Sequence, residues 1–321
     1  RKIEEDNSKT YIHKISINEG KIEYLTNGEV SGHLLNQFSL DENSNTNNLR
    51  VATTTSMWLR DEGRIQYNNV YVLDEDLKII GELEKLAQDE KIYSTRFMGD
   101  KLYMVTFKQV DPLFVIDLSN PESPVVLGEL KIPGFSNYLH PYDENHLIGI
   151  GKDTKESEWG GIITTGVKLS LFDISDFENP KEVDTYVIDG KWTDSAALYD
   201  HKAFLFNKDK EVLVLPVRKF IGDEENYQYY NYKQGAYVFT ITTSGFELRG
   251  EVTHEDNEEG EGSWWYNSPS AVKRSLYMDD ILYTISDKLI KANNINTIEE
   301  IETVELGYIE PKNDDKYEIY Y

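Results

Sequence analysis

The stretch Leu113-Phe114-Val115-Ile116-Asp117-Leu118-Ser119-Asn120-Pro121-Glu122-Ser123-Pro124 returns 56 residues later as Leu169-Ser170-Leu171-Phe172-Asp173-Ile174-Ser175-Asp176-Phe177-Glu178-Asn179-Pro180. Each copy opens on a mainly apolar run that suits a buried strand. Each then turns at an Asp with a Ser two residues on, where the carboxylate can accept from turn amides, and ends at a proline that redirects the chain. A weaker copy, Val70-Tyr71-Val72-Leu73-Asp74, sets its Asp 43 residues before Asp117.

The strand ahead of this one also recurs. Asp100-Lys101-Leu102-Tyr103-Met104-Val105 has counterparts at 145–150 and 280–285, a further one in the frame His201-Lys202-Ala203-Phe204-Leu205-Phe206, and a looser one at 48–53. With Leu49, Leu102, Leu147, Ala203 and Leu282 as equivalents, the spacings are 53, 45, 56 and 79 residues. The shorter ones fit the length of a four-stranded propeller blade. Helical periodicity is nearly absent: only 83–91 has room for two turns, and Gln88-Asp89-Glu90 suits a loop equally. The expected fold is all-β, a β-propeller of four-stranded antiparallel blades in one domain over 1–306, with a tail at 307–321. Its units fall near 34–83, 93–132, 136–188, 194–252 and 271–304, and a strand pair at 10–25 belongs to a further blade. Insertions at 220–233 and 254–267 account for the longest spacing. A sandwich would show no internal repeat of this length.

Composition narrows the function. With 58 Asp+Glu against 33 Lys+Arg the net charge is −25, which argues against nucleic acid and anionic lipid as partners. The absence of cysteine excludes disulfides, thiolate chemistry and zinc ribbons. Apolar runs such as 212–215 fall far short of the ~20 residues of a membrane helix, so no membrane insertion is expected. The opening Arg1-Lys2-Ile3-Glu4 has no apolar h-region, which places any signal peptide outside this sequence.

Several stretches are familiar as a set: residues 33–39 (His-Leu-Leu-Asn-Gln-Phe-Ser), 50–54 (Arg-Val-Ala-Thr-Thr), 92–100, 111–118, 134–141, 168–173, 200–206 and 274–280. Through them the chain resembles a family of secreted prokaryotic proteins with a C-terminal β-propeller domain distantly similar to WD-repeat propellers. The likeness spans about residues 10–306. It implies the fold and export to the extracellular space or cell surface, and the chain then reads as the C-terminal part of a longer secreted protein. It implies no activity, substrate or catalytic residue.

The residues themselves offer no catalytic constellation. G-x-S-x-G, H-E-x-x-H and P-loop motifs are absent. The six histidines never approach metal-ligand spacing, and no cofactor is expected. Calcium is the one cation with candidate ligands, at Asp41, Asn43, Asn45 and Asn47 and in the acidic run 254–262. The first of these lacks the turn glycine and the twelfth-place carboxylate, where Ala52 stands, and suits a solvated turn better. The innermost strands of a propeller meet at its axis. Polar residues expected there are Asn36, Gln37, Arg96, His140, Asp194, Ser195, Lys273 and Arg274, with Arg96, His140, Asp194, Ser195 and Arg274 as the ligand-binding candidates. An internal ion-pair and water network would account for them equally. Partner-binding candidates are the aromatic residues of the two insertions, Tyr229, Tyr230, Tyr232, Trp264 and Trp265, since exposed rings stack on sugars or anchor proteins. The favoured function is a non-enzymatic scaffold that binds protein or glycan at the cell surface. A secreted enzyme acting on polysaccharide or peptide from a central channel, and a structural subunit of a surface assembly, are the alternatives.

Overall fold

The computed structural model describes residues 3–5, 8–59, 63–107, 111–157, 160–190, 192–221, 231–255 and 268–309. The chain divides into two units, Arg1–Val187 and Ile188–Tyr321. In the first, β1 (Ile3–Glu5) precedes a hairpin of β2 (Lys9–Asn18) and β3 (Lys21–Ser31). The first full sheet follows as β4 (Leu40–Asn43), β5 (Asn48–Leu59), β6 (Gly63–Leu73) and β7 (Ile79–Leu86), with β1 beside β4 on the free edge of β5. The second sheet is β8 (Lys91–Met98), β9 (Lys101–Phe107), β10 (Asp111–Asp117) and β11 (Val125–Ile132). The third is β12 (Phe135–Pro141), β13 (His146–Glu156), β14 (Ile162–Asp173) and β15 (Lys181–Asp189).

The second unit holds two sheets. One comprises β16 (Asp194–Ser195), β17 (Leu205–Asn207), β18 (Val212–Ile221), β19 (Asn231–Thr242) and β20 (Gly245–Val252), with β16 and β17 sharing one edge of β18. The other is β21 (Arg274–Met278), β22 (Ile281–Ile285), β23 (Leu289–Asn294) and β24 (Glu300–Glu305). All pairing is antiparallel, and three short 3-10 turns, Gln37–Ser39, Ala196–Leu198 and His201–Ala203, are the only helical elements among the described residues. The fold is an all-β propeller of four-stranded meanders.

Period-two alternation explains the packing. In β9 and β10, Leu102, Met104, Phe114 and Ile116 join Ala52, Val70 and Val72 of the first sheet in one core. The intervening Tyr103, Val105, Leu113 and Val115 face the other way and pack on Leu139, Leu147 and Phe172 of the third. A sheet buried on both faces reads as a continuous apolar run, which is why Leu113-Phe114-Val115-Ile116 carries so strong a signal. In the second unit Val212, Val214, Ala236 and Val238 meet Val272, Leu282 and Ile295 in the same manner.

The Asp turns are structural. Asp117 Oδ1 accepts from Ser119 N at 3.1 Å and Lys101 Nζ at 2.9 Å, and Asp173 Oδ1 accepts from Ser175 N at 2.9 Å. These turns also dock on the preceding sheet. A Cβ on Gly81 of β7 would stand 2.0 Å from Pro121 O, and one on Gly128 of β11 would stand 2.5 Å from Phe177 O. Only glycine admits backbone this close.

Three local expectations are corrected. Residues 201–203 form a 3-10 turn capped by Asp200, and the second strand of that sheet is β18 rather than 201–206. Asn36 and Gln37 are not on a strand: Asn36 caps the Gln37–Ser39 turn, its Oδ1 accepting from Phe38 N at 2.9 Å. The stretch 83–91 is the end of β7, a turn and the first residue of β8. In each case a side-chain cap or a sheet partner decides what local pattern leaves open.

Candidate functional site

β8 lies against β12 and against the Gln37–Ser39 turn, so the leading edges of three successive sheets converge within the first unit. Hydroxyls tie them together: Ser39 Oγ and Thr95 Oγ1 are 3.0 Å apart, and Ser94 Oγ donates to Ser136 O at 2.7 Å. All four residues are buried, and the hydroxyls of Ser39, Ser94 and Thr95 are hydrogen-bonded, which offsets the cost of taking polar groups out of water.

Arg96 of β8 sits at this junction. Its Nε donates to Leu139 O at 2.9 Å. Its guanidinium carbon lies 4.3 Å from the centroid of the Phe38 ring and 5.4 Å from that of Tyr138. The two rings are themselves 5.4 Å apart. Flat cation faces on aromatic faces are favourable, more so when partly desolvated. Tyr138 OH and His140 Nδ1 are 3.0 Å apart. Burial, and then the charge of Arg96, lower the pKa of His140 to about 4, so its imidazole is neutral at pH 7. Burial raises the Tyr138 phenol against the opposing pull of Arg96. Among the described residues Arg96 has no carboxylate partner, although the chain has 58 acidic residues. The arrangement offers a positioned cation with aromatic walls and a neutral imidazole. It contains no activated nucleophile.

The remaining candidates form separate groups in the second unit. Asp194 and Ser195 are buried. Ser195 Oγ donates to Pro216 O at 2.6 Å and accepts from Ala197 N at 3.2 Å, a capping role, while Tyr199 OH lies 3.4 Å from Asp194 Oδ1. Arg274 pairs with Asp200 and donates to Lys273 O at 2.7 Å. Tyr232 is taken up by Arg218, whose guanidinium carbon is 4.6 Å from its ring centroid. Tyr229, Tyr230, Trp264 and Trp265 lie outside the described residues. Sequence reading thus marked Arg96 and His140, which the structure brings together, and passed over Phe38 and Tyr138, which complete the group. An aromatic residue two positions before His140 and another just after an Asn cap were the available signals.

The oxygen-rich turn at 41–47 is internally engaged. Asp41 pairs with Arg50, Asn43 Nδ2 donates to Asp100 Oδ1 at 3.0 Å, and Asn47 Nδ2 donates to Glu75 Oε1 at 3.1 Å. Among the described residues no group of three or more His, Asp or Glu is placed to hold a metal ion. No helix among them is long and apolar enough to cross a membrane.

The chain is 41% identical over 297 residues to the uncharacterized protein MJ1554 of Methanocaldococcus jannaschii, a match covering 91% of this chain and 40% of the relative. It is 38% identical over 298 residues to an uncharacterized protein of Archaeoglobus fulgidus, covering 93% of this chain and 39% of that one. The chain therefore spans about two fifths of the length of these curated relatives. Among solved structures, the Neurospora crassa Pan2 WD40 domain is similar at 9% identity and a TM-score of 0.39, over 80% of this chain and 75% of that one. A family model for the beta propeller domain matches residues 1–298, and this chain belongs to that family.

Proposed function

We propose that this chain is a non-enzymatic binding scaffold at the cell exterior, and that a protein or glycan partner is taken at the converging sheet edges around Arg96. The observation that carries this reading is the Arg96 guanidinium packed against the Phe38 and Tyr138 rings with no carboxylate to neutralise it in the described structure. A structural arginine in so acidic a protein ordinarily finds an acidic partner, and a cation positioned by rings and one backbone carbonyl keeps donors for a ligand. Strands rather than loops carry Arg96 and Tyr138, which preorganises the group.

The test is a binding screen of extracellular proteins and of neutral and acidic oligosaccharides against wild-type protein and the Arg96→Gln variant. A partner whose affinity falls at least about 10-fold in the variant, at unchanged circular dichroism, supports the site. Partners that bind both proteins equally place recognition elsewhere. Export is checked separately, by protease accessibility of the protein on intact native cells.

A further inference from the structure

The β2–β3 hairpin is a two-stranded sheet in a chain whose other sheets have four or five strands. Four features define which part of a blade it is. First, the turn of the next sheet docks on it through a glycine. A Cβ on Gly28 of β3 would stand 2.3 Å from Leu77 O, as one on Gly81 meets Pro121 O and one on Gly128 meets Phe177 O, while one on Gly250 meets the Ile298 side chain at 3.1 Å. Gly81, Gly128 and Gly250 all lie on the last strand of their sheets, so β3 occupies a last-strand position.

Second, the cross-strand partner agrees. Gly81 faces Val72, Gly128 faces Val115 and Gly250 faces Val238, each on a third strand, and Gly28 faces Ile12 of β2. Third, the connections agree: β7 leads to β8 and β11 to β12, last strand to next leading edge, and β3 leads to the Gln37–Ser39 turn and β4. Fourth, β6, β10, β14, β19 and β23 pair on both sides, whereas among the described residues β2 pairs only with β3. Its residues alternate between covered and exposed. Ile12 packs on Val51, Tyr71, Leu73 and Leu77. The opposite face carries Ile15 across from Tyr24 and Ile17 across from Ile22, and the latter two are 77% and 76% exposed.

We propose that the hairpin is the outer half of a four-stranded blade. Its inner half is a strand pair added to the free edge of β2 by the part of the full-length polypeptide beyond this sequence, and the sheet before it covers Ile15, Ile17, Ile22 and Tyr24. The relatives supply the length: about three fifths of each lies outside the region they share with this chain. Two strands alone are marginal in water, and an unpaired edge with an apolar face invites pairing. A sheet that continues through β2 satisfies both the edge and the face.

The experiment measures amide exchange along β2 in this chain and in the aligned strand of the full-length Methanocaldococcus relative, under the same conditions. Alongside it, Ile17→Cys in this otherwise cysteine-free chain is labelled with a soluble maleimide over a range of protein concentrations, with Tyr199→Cys as an exposed control. The proposal expects exchange at least about 100-fold slower in the longer protein, and labelling of Ile17→Cys here at the control rate at every concentration. Equally fast exchange in both proteins overturns it. Labelling that slows with concentration, together with a dimer in sedimentation, assigns the face to a second copy and also overturns it. Slow labelling at all concentrations shows that this chain covers the face itself, which defeats the proposal too.

Discussion

The carbonyl oxygen of Phe177 lies 2.5 Å from the point where a Cβ on Gly128 would stand, and that of Glu178 lies 2.6 Å from it. Both contacts are backbone, so neither can rotate away. Gly128→Ala must push the Asp173 turn off β11 and loosen the core between the second and third sheets. The expected loss is about 1–3 kcal/mol, the usual scale of overpacking. Urea unfolding of the variant beside Gly99→Ala sets the clash against backbone strain alone, because the Gly99 Cβ position is open and its φ is +54°, whereas Gly128 has no positive φ. A Gly128→Ala variant as stable as wild type would show that the turn gives way without cost.

Asp117→Ala is expected to cost about 1–2 kcal/mol, the range for losing a cap and a charge-assisted hydrogen bond. Partial burial opposes ionisation of Asp117, but hydrogen bonds from Lys101 and Ser119 outweigh it and hold the carboxyl below its ordinary value. A carboxylate depressed in the folded state stabilises above its unfolded pKa, and that contribution is lost as pH falls through the folded value. The difference in melting temperature between wild type and Asp117→Ala should therefore be steady above about pH 5 and shrink below about pH 4. A gap that persists undiminished at pH 2 would show that the carboxylate's charge is irrelevant to the turn.

His254 is buried, its Nε2 2.8 Å from Thr284 Oγ1, while Nδ1 has no hydrogen-bond partner among the described residues. Burial lowers its pKa to about 4, aided by Lys291 and opposed by Glu300. The unfolded chain binds its proton near pH 6.5, so stability is complete above that value and falls as pH drops toward 4. The loss is on the order of 3 kcal/mol at most. His254→Gln should flatten the stability profile between pH 6.5 and 4, as followed by chemical denaturation. An unchanged slope would mean that His140, lowered to about 4 as well, carries the dependence.

Arg96 and Arg274 were equivalent in the sequence and are not in the structure. Arg274 and Asp200 form an ion pair with both side chains 41% exposed, and such pairs contribute about 0–1 kcal/mol. Arg274→Ala should leave the melting temperature within about 2–3 °C of wild type. Arg96→Ala removes a bond to Leu139 O and the packing of the guanidinium against two rings, and a drop of at least twice that size is expected. A reversal of this order would put the better-packed arginine in the second unit.

What could be read from the chain was whatever repeats within a strand and its turn. Leu113–Asp117 and Leu169–Asp173 announced themselves because both faces of β10 and β14 are buried and their Asp turns close locally. The arginine cluster was half legible. Arg96 and His140 stand out as polar residues on apolar strands, but Phe38, Arg96 and Tyr138 are brought together across gaps of 58 and 42 residues, and no local pattern encodes that. Asp194 and Ser195 stand on the leading strand as expected, whereas 201–206 was read as the second strand because Asp200 caps a 3-10 turn where a strand frame also fits.

In the first two full sheets the glycine seat and the turn that serves as a key lie on opposite sides of the repeat: the seat on its last strand, at Gly81 and Gly128, the key just after its third. A repeat built this way is compatible with any copy of itself, whatever the rest of its surface does. Such a chain lengthens or shortens by whole repeats without inventing a new interface, because each addition brings one seat and uses one. Keeping such a seat takes only a glycine and the backbone path of one turn, which leaves the leading edges, Arg96 among them, free to differ.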